Sequence, residues 1–228
     1  MKILFKWVFL NFLWMGFFYM SLNADQISQQ QANQNLGVET KIATFAAGCF
    51  WCLQPPFDKN KGVLKTITGF SGGSLDNPTY KQVSKGDTGH REVIRIVYNP
   101  AMVSYADLLK IFWRNVDAFD ADGQFCDRGF TYSPAIFYHD EEQEKAAEKS
   151  LKEVADQLSK VSQDQSSEDI FNSIVVPILA FKNFYAADEG HQDYYKKNPY
   201  RYKYYRYSCG RDKRLKEIWG KVEDDLAE

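Results

Sequence analysis

Residues 41–58 read KIATFAAGCFWCLQPPFD, and the fold turns on how they are divided. Lys41 to Ala47 is a short, mostly apolar run suited to a strand, and Gly48 gives the backbone freedom to turn out of it. A helix is expected next. Pro55 and Pro56 lack amide donors, and each disfavours helical geometry in the residue before it. The regular helix is therefore predicted to begin close to Pro56, with Cys49 to Cys52 in a turn or a distorted first turn. The same residues pose a chemical question. Two cysteines three apart, with Phe50 and Trp51 between them, can form a disulfide, bind a metal or stay inert.

Outward from this point, strands and helices mix. Val63–Gly69 reads as a second strand leading into FSGGS, and Asn77-Pro78 as a helix opening with Asn as the cap. In HREVIRIVY (90–98) Glu92, Ile94, Ile96 and Tyr98 fall on one face of a strand, with Arg91, Val93, Arg95 and Val97 on the other. Ser104 opens the helix ADLLKIFWRNV with a capping-box pattern. DAFDADGQFCDRG is a Gly- and Asp-rich loop before the strand TYSPAIFYH. DEEQEKAAEKSLKEVADQLSKV is a long amphipathic helix, acidic at its start as the helix dipole favours. Ser173–Phe181 reads as a strand placed at an edge by Pro177. A Tyr-rich coil follows, closed by the helix DKRLKEIWGKV. The order implies an α+β, two-layer domain with helices packed on a mixed sheet and a long C-terminal coil.

The ends bound the cellular context. MKILFK is basic, WVFLNFLWMGFFYM is apolar, and SLNADQ turns polar. Residues 1–24 thus have the pattern of a secretory signal peptide, with Ala24 as the cut point, or of an uncleaved membrane anchor; export is the favoured reading. Either places the rest outside the cytosol, in a periplasmic or extracellular setting. Residues 25–40 are Gln- and Asn-rich and read as a flexible linker, leaving 41–228 as one domain. The formal charge is −2, which does not suggest a polyanion-binding protein. Four cysteines in an exported chain would ordinarily form two structural disulfides, but the pair Cys49 and Cys52 encloses too short a loop to constrain the unfolded chain much.

Cys49 follows a turn and precedes a helix, where free amides favour a thiolate; an ordinary buried cysteine is the plainer alternative. Phe50 and Trp51 cannot both enter the core from one turn, so one should be partly exposed and form an apolar recess beside the thiol. Glu92 shares a face with Ile94 and Ile96. Burial there would raise its pKa and suit it to general-acid work, whereas alternation alone favours a solvated acid at the strand's beginning.

GCFW (48–51), TGFSGG (68–73), NPTY (77–80), GDTGHREV (86–93), DGQFCDRG (122–129), YSPAIFYH (132–139) and HQDYYKKNP (191–199) occur in order from Lys41 to about Trp219. In this series the chain resembles the A-type peptide methionine sulfoxide reductases. The resemblance implies a ferredoxin-like core and reduction of methionine-S-sulfoxide, free or in proteins. It casts Cys49 as nucleophile, Glu92 as proton donor, and Tyr80 and Tyr132 as hydroxyls on the sulfoxide oxygen. Asp127 would help hold the substrate, Phe50 and Trp51 would receive its methyl group, and His191 and Tyr194 would lie near the site. The cycle would pass through a Cys49 sulfenic acid and an intramolecular disulfide, reduced by an external thioredoxin-like dithiol. No resident cofactor or metal is implied, and the enzyme is expected to act as a monomer, with a membrane involved only through an uncleaved N-terminal segment. Both Cys52 and Cys209 are candidate resolving thiols; proximity favours Cys52. Cys126 replaces the family's usual small residue, and its role stays open.

Three other readings compete. Thioredoxin-like exchange at Cys49/Cys52 would need neither Glu92 nor the tyrosines. A zinc site from the four cysteines and His191 lacks a second Cys-x-x-Cys pair. YYKKNPYRYKYYRYS could stack single-stranded nucleic acid, against which the acidic balance weighs.

Overall fold

The computed structural model describes residues 39–162 and 164–220. The signal or anchor reading of residues 1–24, and the linker up to residue 38, lie outside the described residues. Among the described residues no helix is long and apolar enough to cross a membrane.

Strand β1 (Lys41–Ala46) lies at the middle of a six-stranded sheet. It pairs antiparallel with β3 (Arg91–Tyr98), which pairs antiparallel with β2 (Val63–Ser71). On its other side β1 pairs antiparallel with β6 (Ala135–Tyr138), and β6 runs parallel to the edge strand β7 (Ile178–Ala180). The short β8 (Tyr185–Ala186) closes the opposite edge against β2. A separate hairpin of two-residue strands, β4 (Gly123–Gln124) with β5 (Asp127–Arg128), forms its own small sheet. The sheet is mixed and helix-packed, as the order of elements implied.

Helix α1 (Phe50–Asp58), the short α2 (Tyr80–Val83), α3 (Tyr105–Trp113) and α4 (Glu141–Ser162) follow their strands; α5 (Ser167–Ser173), α6 (Tyr194–Lys197), α7 (Pro199–Ser208) and α8 (Arg211–Trp219) complete the chain. One sheet face buries Phe45, Ile94 and Ile96 against Leu53 and Phe57 of α1, Leu108, Leu109, Phe112 and Trp113 of α3, and Val154 and Leu158 of α4. Burying each large apolar side chain contributes about 1.5–3 kcal/mol. The other face is thinner: Ala46, Val93, Ala135 and Phe137 are covered by Leu179, Phe181 and Phe184. All four members of the Glu92 face of β3 are buried.

Several expectations need correction. Helix α1 begins at Phe50, six residues before Pro56, and both prolines lie inside it. It accommodates Pro56 because the Cys52 carbonyl, which Pro56 cannot serve, accepts instead from the Arg206 guanidinium at 3.2 Å. The cap of α2 is Thr79, in a capping box with Gln82, while Asn77 takes a left-handed φ of 48° before Pro78. The strand read at 131–139 shrinks to β6, preceded by a 3-10 turn at Phe130–Tyr132. Of Ser173–Phe181 only β7 is strand, because a Ser166–Asp169 capping box carries α5 through Ser173. The long Tyr-rich coil is largely helical, with Pro199 in the first turn of α7. Tyr202, Tyr205 and Arg206 are spaced three and four apart and form the inward side of α7.

Candidate active site

Extending the β1–β3 register past its last pair, Phe45 with Ile94, brings Glu92 level with Ala47 at the strand's exit. There Gly48 turns the chain with φ +79°, and Cys49 becomes the N-cap residue of α1. The Phe50 amide, free at the helix start, donates to Glu92 Oε2 at 3.1 Å. The acid expected on one face of β3 thus meets the thiol that opens α1. Glu92 is 2% exposed, so the solvated alternative is excluded. Burial, followed by the charges of Asp127 and Cys52, raises its carboxyl to about 8 against the pull of the Phe50 amide. At neutral pH Glu92 is protonated.

Gly48 has no room for a side chain. A Cβ there would stand 2.6 Å from the Gln124 Cβ, and Gln124 is fixed by two 2.8 Å hydrogen bonds with the Asp117 backbone. Gly48→Ala should therefore destabilise the fold by about 1–3 kcal/mol, from left-handed strain and overpacking together. Denaturant titration checks this; a change under 0.5 kcal/mol, roughly the scale of a neutral surface substitution, would refute the steric account.

Cys49 and Cys52 are both buried, at 6% and 1% exposure, and both are free thiols. Burial, the hydrogen bond to Cys52 and the Glu92 charge push the Cys49 thiol up. That same hydrogen bond from Cys49, aided by Arg211 and Arg206, brings Cys52 down to about 7 despite its burial. The pair therefore shares one proton near neutrality. Arg211 is fully buried and donates to the Ala47 and Asn115 carbonyls at 2.9 and 2.6 Å.

Aromatic groups wall the hollow. Phe50 is buried and Trp51 half-exposed, the division expected of two neighbours in one turn. Trp51 stacks on Tyr194 with centroids 3.7 Å apart and donates its indole N–H to His191 Nδ1 at 3.1 Å. His191 lies over Tyr80 at 4.0 Å, and burial keeps its ring neutral. The Tyr132 hydroxyl donates toward the Tyr80 oxygen. Burial first, then the Glu92 charge, raises both phenols, Tyr80 to about 12, so both remain un-ionised donors. Asp127 is half-buried, and its Oδ2 accepts from Tyr205 at 2.6 Å. Burial raises Asp127 as well.

The structure brings together Cys49, Cys52, Phe50, Trp51, Tyr80, Glu92, Asp127, Tyr132, His191 and Tyr194. It keeps Cys209 from the pair, since Cys209 is bridged to Cys126, 83 residues earlier. His90 is structural: Nδ1 accepts from the Gly73 amide and Nε2 donates to the Leu75 carbonyl. Tyr205, Arg206 and Arg211 also belong to the site and lie outside the motifs that mark it in the sequence. Tyr205 lies within a tract crowded with tyrosines. Arg211 in SCGRD carried the one usable signal, a cation two residues beyond a cysteine.

A thiol at a helix start, a protonated acid beneath it and two phenol donors alongside define a cysteine-dependent oxidoreductase site. Residues 41–223 match the family described as peptide methionine sulfoxide reductase. The chain is 43% identical over 185 residues to the peptide methionine sulfoxide reductase MsrA of Bacillus licheniformis, covering 81% of this chain and 97% of that one. It is 47% identical over 178 residues to the MsrA/MsrB protein of Vibrio cholerae, covering 78% of this chain and 44% of that longer one. In three dimensions it resembles the reduced form of Saccharomyces cerevisiae Mxr1, with a TM-score of 0.62 and 30% identity over 70% of this chain and 86% of that one. The methionine sulfoxide reductase A of Corynebacterium diphtheriae gives a TM-score of 0.62 at 28% identity, over 70% of this chain and 76% of that one. The chain belongs to the peptide methionine sulfoxide reductase family.

Proposed function

We propose that the chain reduces methionine-S-sulfoxide to methionine through Cys49, with Glu92 as the proton donor. The observation that carries this reading is Glu92 itself, buried, protonated and held by the Phe50 amide at the start of the Cys49 helix. The Cys49 proton passes along the shared hydrogen bond to Cys52, and the Cys49 thiolate attacks the sulfoxide sulfur. Glu92 protonates the oxygen while Tyr80 and Tyr132 donate to it. Oxygen transfer from the substrate leaves methionine and a sulfenic acid on Cys49. The Cys52 thiol then attacks that sulfur, water departs, and a Cys49–Cys52 disulfide remains. An external dithiol supplies the two electrons and two protons that restore both thiols.

In this scheme Phe50 and Trp51 receive the S-methyl group, Asp127 holds the substrate's amide through Tyr205 or directly, and His191 and Tyr194 set the Trp51 plane. Cys52 is the resolving thiol because it shares a helical turn with Cys49, whereas Cys209 is engaged by Cys126. The reductant is of the thioredoxin type. The basic and then apolar pattern of residues 1–24 supports work outside the cytosol.

One turnover on an equivalent of S-sulfoxide without reductant, followed by disulfide mapping, tests the assignment. The expected product carries a Cys49–Cys52 bridge with Cys126–Cys209 intact. A Cys49–Cys209 bridge would remove Cys52 from the resolving role.

A further inference from the structure

The geometry points to a second site at the mouth of the catalytic hollow: once their disulfide is reduced, Cys126 and Cys209 join Asp127 in binding a thiophilic divalent cation of the zinc type. Cys126 Sγ and Cys209 Sγ are joined in the disulfide, and an Asp127 carboxylate oxygen lies within 4.8 Å of both sulfurs, with Oδ2 3.9 Å from Cys209 Sγ. Donors around tetrahedral zinc stand about 3.5 Å apart, given metal–ligand bonds of about 2.0–2.3 Å. Two thiolates and a carboxylate form a donor set that selects zinc over magnesium or calcium.

Reduction would leave these donors gathered, because each is pinned independently of the bridge. Cys126 occupies the turn of the β4–β5 hairpin, which Gln124 ties to the Asp117 backbone. The Phe125 ring next to it lies 4.4 Å under the Arg211 guanidinium. Cys209 is two residues from Arg211, which is buried and bonded to the Ala47 and Asn115 carbonyls. The Cys126 amide already donates to Cys209 Sγ at 3.1 Å, the kind of contact that supports a ligating sulfur from outside the metal shell. Cys126 is exposed, so the ion has an entry path and water has the fourth position.

The chemistry balances. A dithiol of the class that serves the catalytic pair gives two electrons and two protons to the Cys126–Cys209 bridge. The cation then displaces both thiol protons to solvent. Bound metal takes the Asp127 oxygen that now accepts from Tyr205. Where Asp127 holds substrate, as proposed above, the bound ion inhibits turnover. Binding itself does not depend on that reading, and the expected site departs from the sequence reading that no metal is bound.

Cobalt(II) titration of the full chain carrying Cys49→Ser and Cys52→Ser separates this site from the catalytic thiols. Protein reduced with a phosphine and desalted should take up one equivalent, with the charge-transfer and d–d absorption of tetrahedral thiolate coordination. The same protein with the bridge intact should take up none, a comparison that needs no further substitution. Asp127→Ala should weaken uptake by about tenfold or more, and zinc should displace the cobalt. Equal uptake by the oxidised and reduced forms, or no thiolate band after reduction, would overturn the proposal. Turnover resistant to zinc in wild type whose Cys126–Cys209 bridge has first been reduced, alongside normal cobalt uptake, would instead count against the role of Asp127 in holding substrate.

Discussion

Cys49→Ser is expected to reduce sulfoxide turnover by at least about 10⁴-fold, to the limit of detection, with the fold unchanged. The serine hydroxyl remains protonated where the thiol can surrender its proton to Cys52, and oxygen does not accept the sulfoxide oxygen to form a stable sulfenic-acid equivalent. Serine is nearly the same size as cysteine, and Cys49 makes its helix contacts through its backbone: its carbonyl accepts from Cys52 and Leu53. Circular dichroism and thermal unfolding should therefore match the wild type within about 1 kcal/mol. Residual turnover above one-hundredth of the wild-type rate in reductant-supplied assays would mean that another thiol attacks the substrate.

Glu92→Gln is the second large effect, a loss of about 10²–10⁴-fold, the usual worth of a positioned general acid. Its signature lies in the pH profile. The wild type needs Cys52 deprotonated, with a pKa of about 7, and Glu92 protonated, with a pKa of about 8. Its rate should rise through the first value and fall through the second, as macroscopic constants of a coupled site. Glutamine cannot ionise, so the falling limb should vanish while the rising one stays. A falling limb that survives in Glu92→Gln would assign it to a different group.

The same substitution should strengthen the fold. Glu92 binds its proton more tightly folded, at about 8, than unfolded, near the ordinary value of 4.5. Between those values the folded state holds the extra proton, so stability declines as pH rises from about 4.5 to 8. At pH 7 the buried acid costs the fold about 3 kcal/mol by this linkage. Glu92→Gln should unfold at a higher denaturant concentration at pH 8 than the wild type, with the gap closing by pH 4. A reaction centre less stable than its inactive variant is the expected trade of function against stability.

Local features of the sequence were readable where neighbouring residues determine the outcome. The Ser104 cap, the long helix after Asp140 and the two faces of HREVIRIVY depend on spacing, and each is found in the structure. What escaped depends on contacts distant in the chain. The prolines at 55 and 56 correctly signal lost hydrogen bonds, but the compensating donor is Arg206, in another helix. The burial of Glu92 follows from the Gly48 turn closing over it, which alternation along β3 does not describe. The Cys126–Cys209 pairing spans 83 residues. The tyrosine-rich tract reads as coil because its aromatic positions follow no single period; its roles come from Tyr194 against Trp51 and from the inward side of α7, with Tyr205 on Asp127 and Arg206 on Cys52.

The Cys52 carbonyl left open by Pro56 has a consequence for the order of assembly. Its replacement donor lies 154 residues downstream, so during synthesis the reactive turn leaves the ribosome long before the segment that finishes it. Strand and helix around the two sulfurs can form early, yet the turn stays incompletely satisfied until the final helices dock. Recovery of enzymatic competence after dilution from denaturant should therefore trail the return of the sheet, keeping in step with the C-terminal helices.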